Sequence, residues 1–132
     1  MVEQITVKVF RRRCKAQGAS AREHVAFVCV VCGTVQSMAS LMKAGASPER
    51  VESLVGFSCE GRLTNAGSWP RAGDRSVKAS KRRKIRGCDW TLGGLFKIHQ
   101  LEVVDDDKPH PRFTFATPEQ ARTLESAMEQ TP

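Results

Sequence analysis

The chain has 132 residues and a formal net charge of +7. That length suits one domain, residues 1–132, with a core modest enough for a metal staple to matter. The opening "MVEQITVKVFRRRC" has no apolar signal-peptide core, and no run approaches the roughly 18 apolar residues of a membrane span, so a soluble, cytoplasmic protein is expected, whose five cysteines are too odd a set for a disulfide framework.

In "ITVKVF" the apolar Ile5, Val7 and Val9 alternate with polar residues, which predicts a short strand; "RRRCKAQGASARE" then reads as a connection. "HVAFVC" predicts a second strand running into a cysteine pair. Beyond the pair, "TVQSMASLMKAG" places Val35, Met38, Leu41 and Met42 at helical spacing with Gly45 as the stop. "ASPERVESLVG" restarts a helix, with Ser47 as N-cap, Pro48 at the first helical position and Gly56 past its end. The two make a central helical pair. "FSCEGRLTNAGSW" is rich in turn residues. Leu95 to Val104 is the longest strand candidate, and the acidic "DDDKPHP" separates it from "RFTFA", predicting an antiparallel hairpin whose loop exceeds the tight two-residue type. Finally "TPEQARTLESAME" is a C-terminal helix, opened by a capping box of Thr117 and Gln120 with Pro118 in its first turn. No internal repeat of roughly 20–50 residues is present. The class is α+β, a small zinc-stapled domain with an antiparallel sheet, a central helical pair and a C-terminal helix.

Charge is distributed unevenly. Residues 70 to 88 hold eight basic residues against Asp74 alone, a net +7, whereas residues 1 to 35 carry six basic and two acidic (+4) and residues 89 to 132 four basic and eight acidic (−4). With few apolar residues, "PRAGDRSVKASKRRKIRG" reads as a flexible basic loop, residues 70–87, inserted in the domain.

The cysteine pair in "FVCVVCGTVQS" can be read as a metal grip, a redox couple or two buried thiols. In a redox motif the second cysteine is already helical, and Gly33 would weaken that first turn by about 1 kcal/mol. In a metal knuckle the chain must instead turn so that amides face the sulfurs, and a glycine tolerating positive φ suits the position after the second cysteine. The metal reading is favoured, with plain burial as the alternative. A structural zinc site needs four ligands. Cys29 and Cys32 are therefore joined by Cys59 and Cys88, each beside glycine or turn residues, in the spacing C-x2-C-x26-C-x28-C. His99 is the substitute ligand, ahead of His24 and His110. Cys14, between Arg13 and Lys15, reads as a spare exposed thiol in a setting that lowers its pKa.

Taken together, "FVCVVCGTVQS", "GFSCEGRLTNAGS", "GCDWTLGGLFKIH" and "HPRF" followed by a helix start resemble an uncharacterised family of short proteins encoded by bacteriophages, prophages and neighbouring mobile elements. The likeness covers roughly residues 25 to 120. Members carry a proline inside the first cysteine pair where Val30 and Val31 stand here, and the basic loop looks longer than is usual there. The resemblance implies a phage-associated setting and the same four cysteines; it implies no activity.

Four thiolates leave no open position for a catalytic water, no phosphate-cradling glycine loop occurs, and "DDD" on a hairpin is a solvated turn. No enzyme and no small-molecule substrate are therefore expected. The basic loop, flanked by Trp69 and Trp90, suggests nucleic-acid binding through Lys81, Arg82, Arg83, Lys84 and Arg86, since such clusters neutralise phosphates and a flanking aromatic can stack on an unpaired base. No recognition helix is evident. The alternative is a phage-encoded binder or inhibitor of a host protein that handles nucleic acid, docking through the acidic C-terminal half.

Overall fold

The computed structural model describes residues 2–64, 66, 86–93 and 98–129. Two small three-stranded sheets make up an α+β fold. In the first, β1 (Glu3–Thr6) runs parallel to β4 (Leu101–Asp105), and β4 pairs antiparallel with β5 (Lys108–Arg112). In the second, β2 (Ala26–Val28) lies between β3 (Val35–Ser37) and β6 (Thr114–Phe115), antiparallel to both. Among the described residues the α-helices are α1 (Val7–Ala16), α2 (Met38–Ala44), α3 (Val51–Leu54) and α4 (Pro118–Glu129).

Of the expected N-terminal strand only Ile5 and Thr6 lie in β1, and the expected connection begins as helix, through Ala16. β1 stops at Thr6 because its hydroxyl accepts from the backbone N–H of Val9 at 3.2 Å and caps α1. Once helical, Val7, Phe10, Cys14 and Gln17 share one side. Phe10 stacks on Phe27, with centroids 6.0 Å apart, and leans on Phe115 at 5.3 Å. Gln17 is buried and binds both the N–H and the carbonyl of Ala26, together with the carbonyl of Ala116. These tertiary contacts override the β preference of Val7 and Val9. Arg13 and Lys15 in the last turn suit the negative end of the helix dipole.

The first predicted helix begins later than expected. Val35 belongs to β3, and α2 starts after Ser37, whose hydroxyl accepts from Ser40 N–H while the Ser40 hydroxyl accepts from Ser37 N–H. Gly45 ends α2 at φ 126°, as expected. Ser47 is not a side-chain cap: its carbonyl accepts from Arg50 and Val51, and the helix proper is the single turn α3. Leu41, Ala46 and Val51 bury the contact of this helical pair.

The strand expected over Leu95 to Val104 is observed only as β4; residues 94–97 lie outside the described residues, and residues 98–100 belong to no strand. The hairpin loop is tighter than expected. Asp106 and Asp107 both have positive φ, 51° and 61°, so a two-residue turn of the primed type joins β4 to β5. β5 contains Pro109 and Pro111, which the sequence suggested was loop. It is an edge strand, and counting from the closing pair Asp105↔Lys108 puts both prolines opposite residues of β4 at non-hydrogen-bonded positions, where a missing N–H costs nothing. Phe113, fully buried, carries the chain from the first sheet to the second. The capping box of α4 is as expected: Thr117 N–H donates to Gln120 Oε1 at 2.9 Å and Gln120 N–H to Thr117 Oγ1 at 3.1 Å. Ala121 and Leu124 pack on Ala26 and Ala116. Among the described residues, no helix is long and apolar enough to cross a membrane.

Candidate metal centre

Cys29 and Cys32 sit in the turn that joins β2 to β3. Cys29 N–H donates to Thr34 carbonyl at 3.1 Å, Gly33 N–H donates back to Cys29 carbonyl at 3.0 Å, and Gly33 takes φ 73°. Glycine is needed there because the left-handed conformation costs other residues about 1–2 kcal/mol. Cys59 precedes a 3-10 turn, Glu60–Arg62, and Cys88 follows Gly87 at φ 86°. The two single-cysteine loops cross at their glycines. A Cβ on Gly61 would lie 2.3 Å from the Cys88 nitrogen, and one on Gly87 2.5 Å from the Gly61 nitrogen. Only a pair of glycines permits this approach.

The crossing brings the four sulfurs together. Every pair of the sulfurs of Cys29, Cys32, Cys59 and Cys88 lies within 4.8 Å. The Cys29–Cys88 and Cys32–Cys59 separations are 3.8 and 3.7 Å, nearly twice the ~2.05 Å of a disulfide. A tetrahedral metal with metal–sulfur bonds of about 2.3 Å has sulfur–sulfur edges of about 3.8 Å, so the observed quartet fits a tetrahedral thiolate site. Hydrogen bonds among the sulfurs divide their protons. The bond with Cys32 chiefly pushes the Cys29 thiol up; bonds with Cys29 chiefly push Cys88 up, hold Cys59 down and lower Cys32 to about 7. Four unscreened sulfurs cannot all ionise together, and a bound cation would supply what they lack.

The surroundings of the sulfurs are apolar on one side and hydrogen-bonding on the other. Cys29, Cys59 and Cys88 are buried in the main apolar cluster with Phe27, Leu92 and Phe113, against which Trp90 packs. Cys59 Sγ accepts from Cys88 N–H at 3.2 Å and Gln36 Nε2 at 3.4 Å. Cys32 Sγ lies 3.2 Å from the Thr34 hydroxyl, which donates once the sulfur is a thiolate. Beyond them runs a polar chain that the sequence did not disclose. Gln36 Oε1 accepts from Glu60 N–H at 2.9 Å, the Ser40 hydroxyl donates to Glu60 Oε1 at 3.0 Å, and Arg86 donates to Glu60 through Nη2 at 2.8 Å and Nε at 3.2 Å. Glu60 is 5% exposed, so Arg86 is its counter-charge, and the bond raises the Arg86 pKa. The only sequence signals for this shell were polar residues next to ligands: Thr34, Glu60 and Arg86.

The other expected residues fall elsewhere. His99 is not among the clustered ligands; its Nε2 lies 2.7 Å from Glu102. His24 pairs loosely with Glu23, and His110 is an exposed residue of β5. Cys14 is half-buried rather than exposed, and burial raises its pKa despite nearby Arg22. Lys81, Arg82, Arg83 and Lys84, with Trp69, lie outside the described residues; Arg86 is described and carries the bond to Glu60.

Fold and site define a small α+β protein built around a buried four-cysteine cluster able to hold a metal. The chain belongs to the VVA0879-like family, whose model matches residues 6–116. No curated protein and no solved structure shows significant similarity to it.

Proposed function

We propose that the protein is a zinc-stapled, non-catalytic module of phage or mobile-element origin that binds nucleic acid or a nucleic-acid complex. The observation that carries this reading is the net +7 of residues 70 to 88, in a segment flanked by residues 59–61 and 86–88, which meet on the cysteine cluster. The metal would join the two ends of the basic segment. Zinc is the metal favoured by four thiolates in a tetrahedron, and such a closed set leaves no site for a reacting water. A second basic surface supports the same partner. Lys8, Arg11, Arg12 and Lys15 are exposed on α1 at the i, i+3, i+4 and i+7 spacing of one helix face. Phosphate contacts from such groups release counterions and are independent of sequence. The phage setting rests on the likeness of the cysteine-bearing segments to proteins of that origin.

The test is binding to duplex and single-stranded DNA and RNA as salt is raised. Each phosphate contact contributes about 0.7–0.9 to the slope of log affinity against log salt, so alanine at Lys81, Arg82, Arg83 and Lys84 together should flatten the slope by about 3 while metal content stays unchanged. Absence of binding at low salt, or an unchanged slope in the variant, refutes the reading. In that case the excess of eight acidic over four basic residues after position 88 favours a binder of a basic host protein, recovered as a stoichiometric complex that survives nuclease.

A further inference from the structure

A cavity of about 890 Å³ opens between α1, the segment that follows it, α2, α3, β4 and β5, within the roughly 300–1,000 Å³ usual for small-ligand sites. Its floor is apolar and partly aromatic, with Phe10, Val25, Phe27 and Val55. Its charged lining is cationic in balance: Arg11, Lys15, Arg22 and Arg112 stand against Glu52 and Asp105. Glu52 is already paired with Arg22.

Arg112 is the informative member. Its Nη1 donates to the carbonyl of neighbouring Pro111 at 2.8 Å, and its guanidinium carbon lies 5.7 Å from the centroid of the Phe57 ring. Among the described residues no carboxylate pairs with it. Burial alone lowers its pKa. A guanidinium taken partly out of water without a counter-charge is held at a cost that an incoming anion would offset. Its fork of donors matches two phosphate oxygens.

We infer that this cleft binds a nucleotide, free or as one unit of a single strand, with the phosphate on Arg112 and the Arg11–Lys15 side of the rim and the base against Phe10 and the apolar floor. The strand form rests on the nucleic-acid reading above; the free form does not. Stacking on an aromatic side chain tolerates any base, so the site selects phosphate and planarity rather than sequence.

Cys14 lines the same cleft and stands apart from the four clustered cysteines, so its alkylation in metal-loaded protein reports occupancy. Adenosine monophosphate and a short oligodeoxythymidylate should each slow alkylation of Cys14, and inorganic phosphate should do so only at far higher concentration. Arg112→Gln should weaken nucleotide binding by about tenfold or more, the loss expected for a hydrogen-bonded charge, with metal content unchanged. Lys15→Ala, at an exposed helix position that cannot unfold the core, should weaken it several-fold. The inference fails if neither probe shields Cys14, or if both variants bind as the wild type does. Shielding by the mononucleotide but not the oligonucleotide upholds the cleft and assigns it to free nucleotide. Shielding that persists when the alanine variant of residues 81 to 84 has lost its salt-dependent binding upholds the cleft independently of the basic segment.

Discussion

Gly61→Ala is the sharpest test of how the metal centre is assembled. The added methyl would lie 2.3 Å from the Cys88 nitrogen, 2.5 Å from its carbonyl oxygen and 2.6 Å from the Gly87 carbonyl carbon. Ordinary contact begins at 3.4 Å, so the nearest atom must retreat by about 1.1 Å. All three atoms are backbone, and no rotamer change can relieve them. Gly61 does not have a positive φ, so alanine costs nothing in backbone conformation and the effect is steric alone. The displaced strand of chain carries Cys88, whose N–H meets Cys59 Sγ at 3.2 Å and whose sulfur lies 3.8 Å from that of Cys29. A metal tolerates departures of about 0.2 Å in its ligand distances, several times less than the shift required. Overpacking of a rigid contact costs about 1–3 kcal/mol, and disturbing the shell of a metal site costs about 10–100-fold in affinity.

The control is Gly33→Ala. Gly33 also borders a ligand, but at φ 73° with nothing within 4 Å of its would-be Cβ. Alanine there should cost about 1–2 kcal/mol in left-handed strain and leave the sulfurs in place. Thermal unfolding and competition with a chromophoric chelator separate the two: both variants melt several degrees lower, and only Gly61→Ala gives up its metal readily. The reasoning is refuted if Gly61→Ala resists the chelator as well as the wild type, or if Gly33→Ala releases metal more easily.

Cys59→Ser and Cys88→Ser should each abolish stoichiometric metal in elemental analysis and destabilise the domain severely, because binding to such a site can supply about 10–16 kcal/mol of folding free energy. Arg86→Ala leaves the Glu60 side chain, 7% exposed, without its cation and should cost about 1–3 kcal/mol in urea unfolding, whereas Arg86→Lys recovers part of that loss. Replacing residues 71 to 84 by a short glycine and serine linker, with Arg86 retained, should leave the melting temperature within a few degrees; a larger fall would show that the segment is packed. In metal-free protein the depressed Cys32 thiol contributes stability that is complete above its ordinary value of 9.0 and lost as pH falls through about 7, so melting temperature followed from alkaline to neutral pH should decline over that window.

The cysteine quartet was legible because its signals are local: a thiol pair with a glycine behind it, and two single thiols with glycines beside or near them. The shell was not. Gln36, Ser40, Glu60 and Arg86 come from β3, α2 and both stems of the basic segment, and only the fold makes them neighbours. The first helix was lost because "ITVKVFRRRC" satisfies both periods over its first few residues. What decides for the helix is Phe10 meeting Phe27 and Phe115, a contact no local pattern contains. The tight hairpin was missed for the opposite reason. Asp106 and Asp107 accept positive φ without the glycine that usually announces such a turn, and Pro109 and Pro111 read as loop until their places on an edge strand are known.

The position of the cluster explains why a small chain would concentrate four cysteines in its core. The β2–β3 turn brings two sulfurs from the second sheet, and Cys59 and Cys88 bring one each from stems that bracket the basic segment. Strands β2, β3 and β6 have only three, three and two residues, too few hydrogen bonds to fix a sheet alone. A metal that joins the turn of this sheet to both stems closes two long loops with one centre, and the entropy of those closures is met by binding rather than by apolar burial. On this argument metal removal should loosen the second sheet before the first, because β1, β4 and β5 pair over four or five residues each and hold no ligand. Hydrogen exchange after chelation measures it: faster exchange at Phe27 and Val28 than at Val103 supports the argument, and uniform loss of protection, or earlier loss in β4, refutes it.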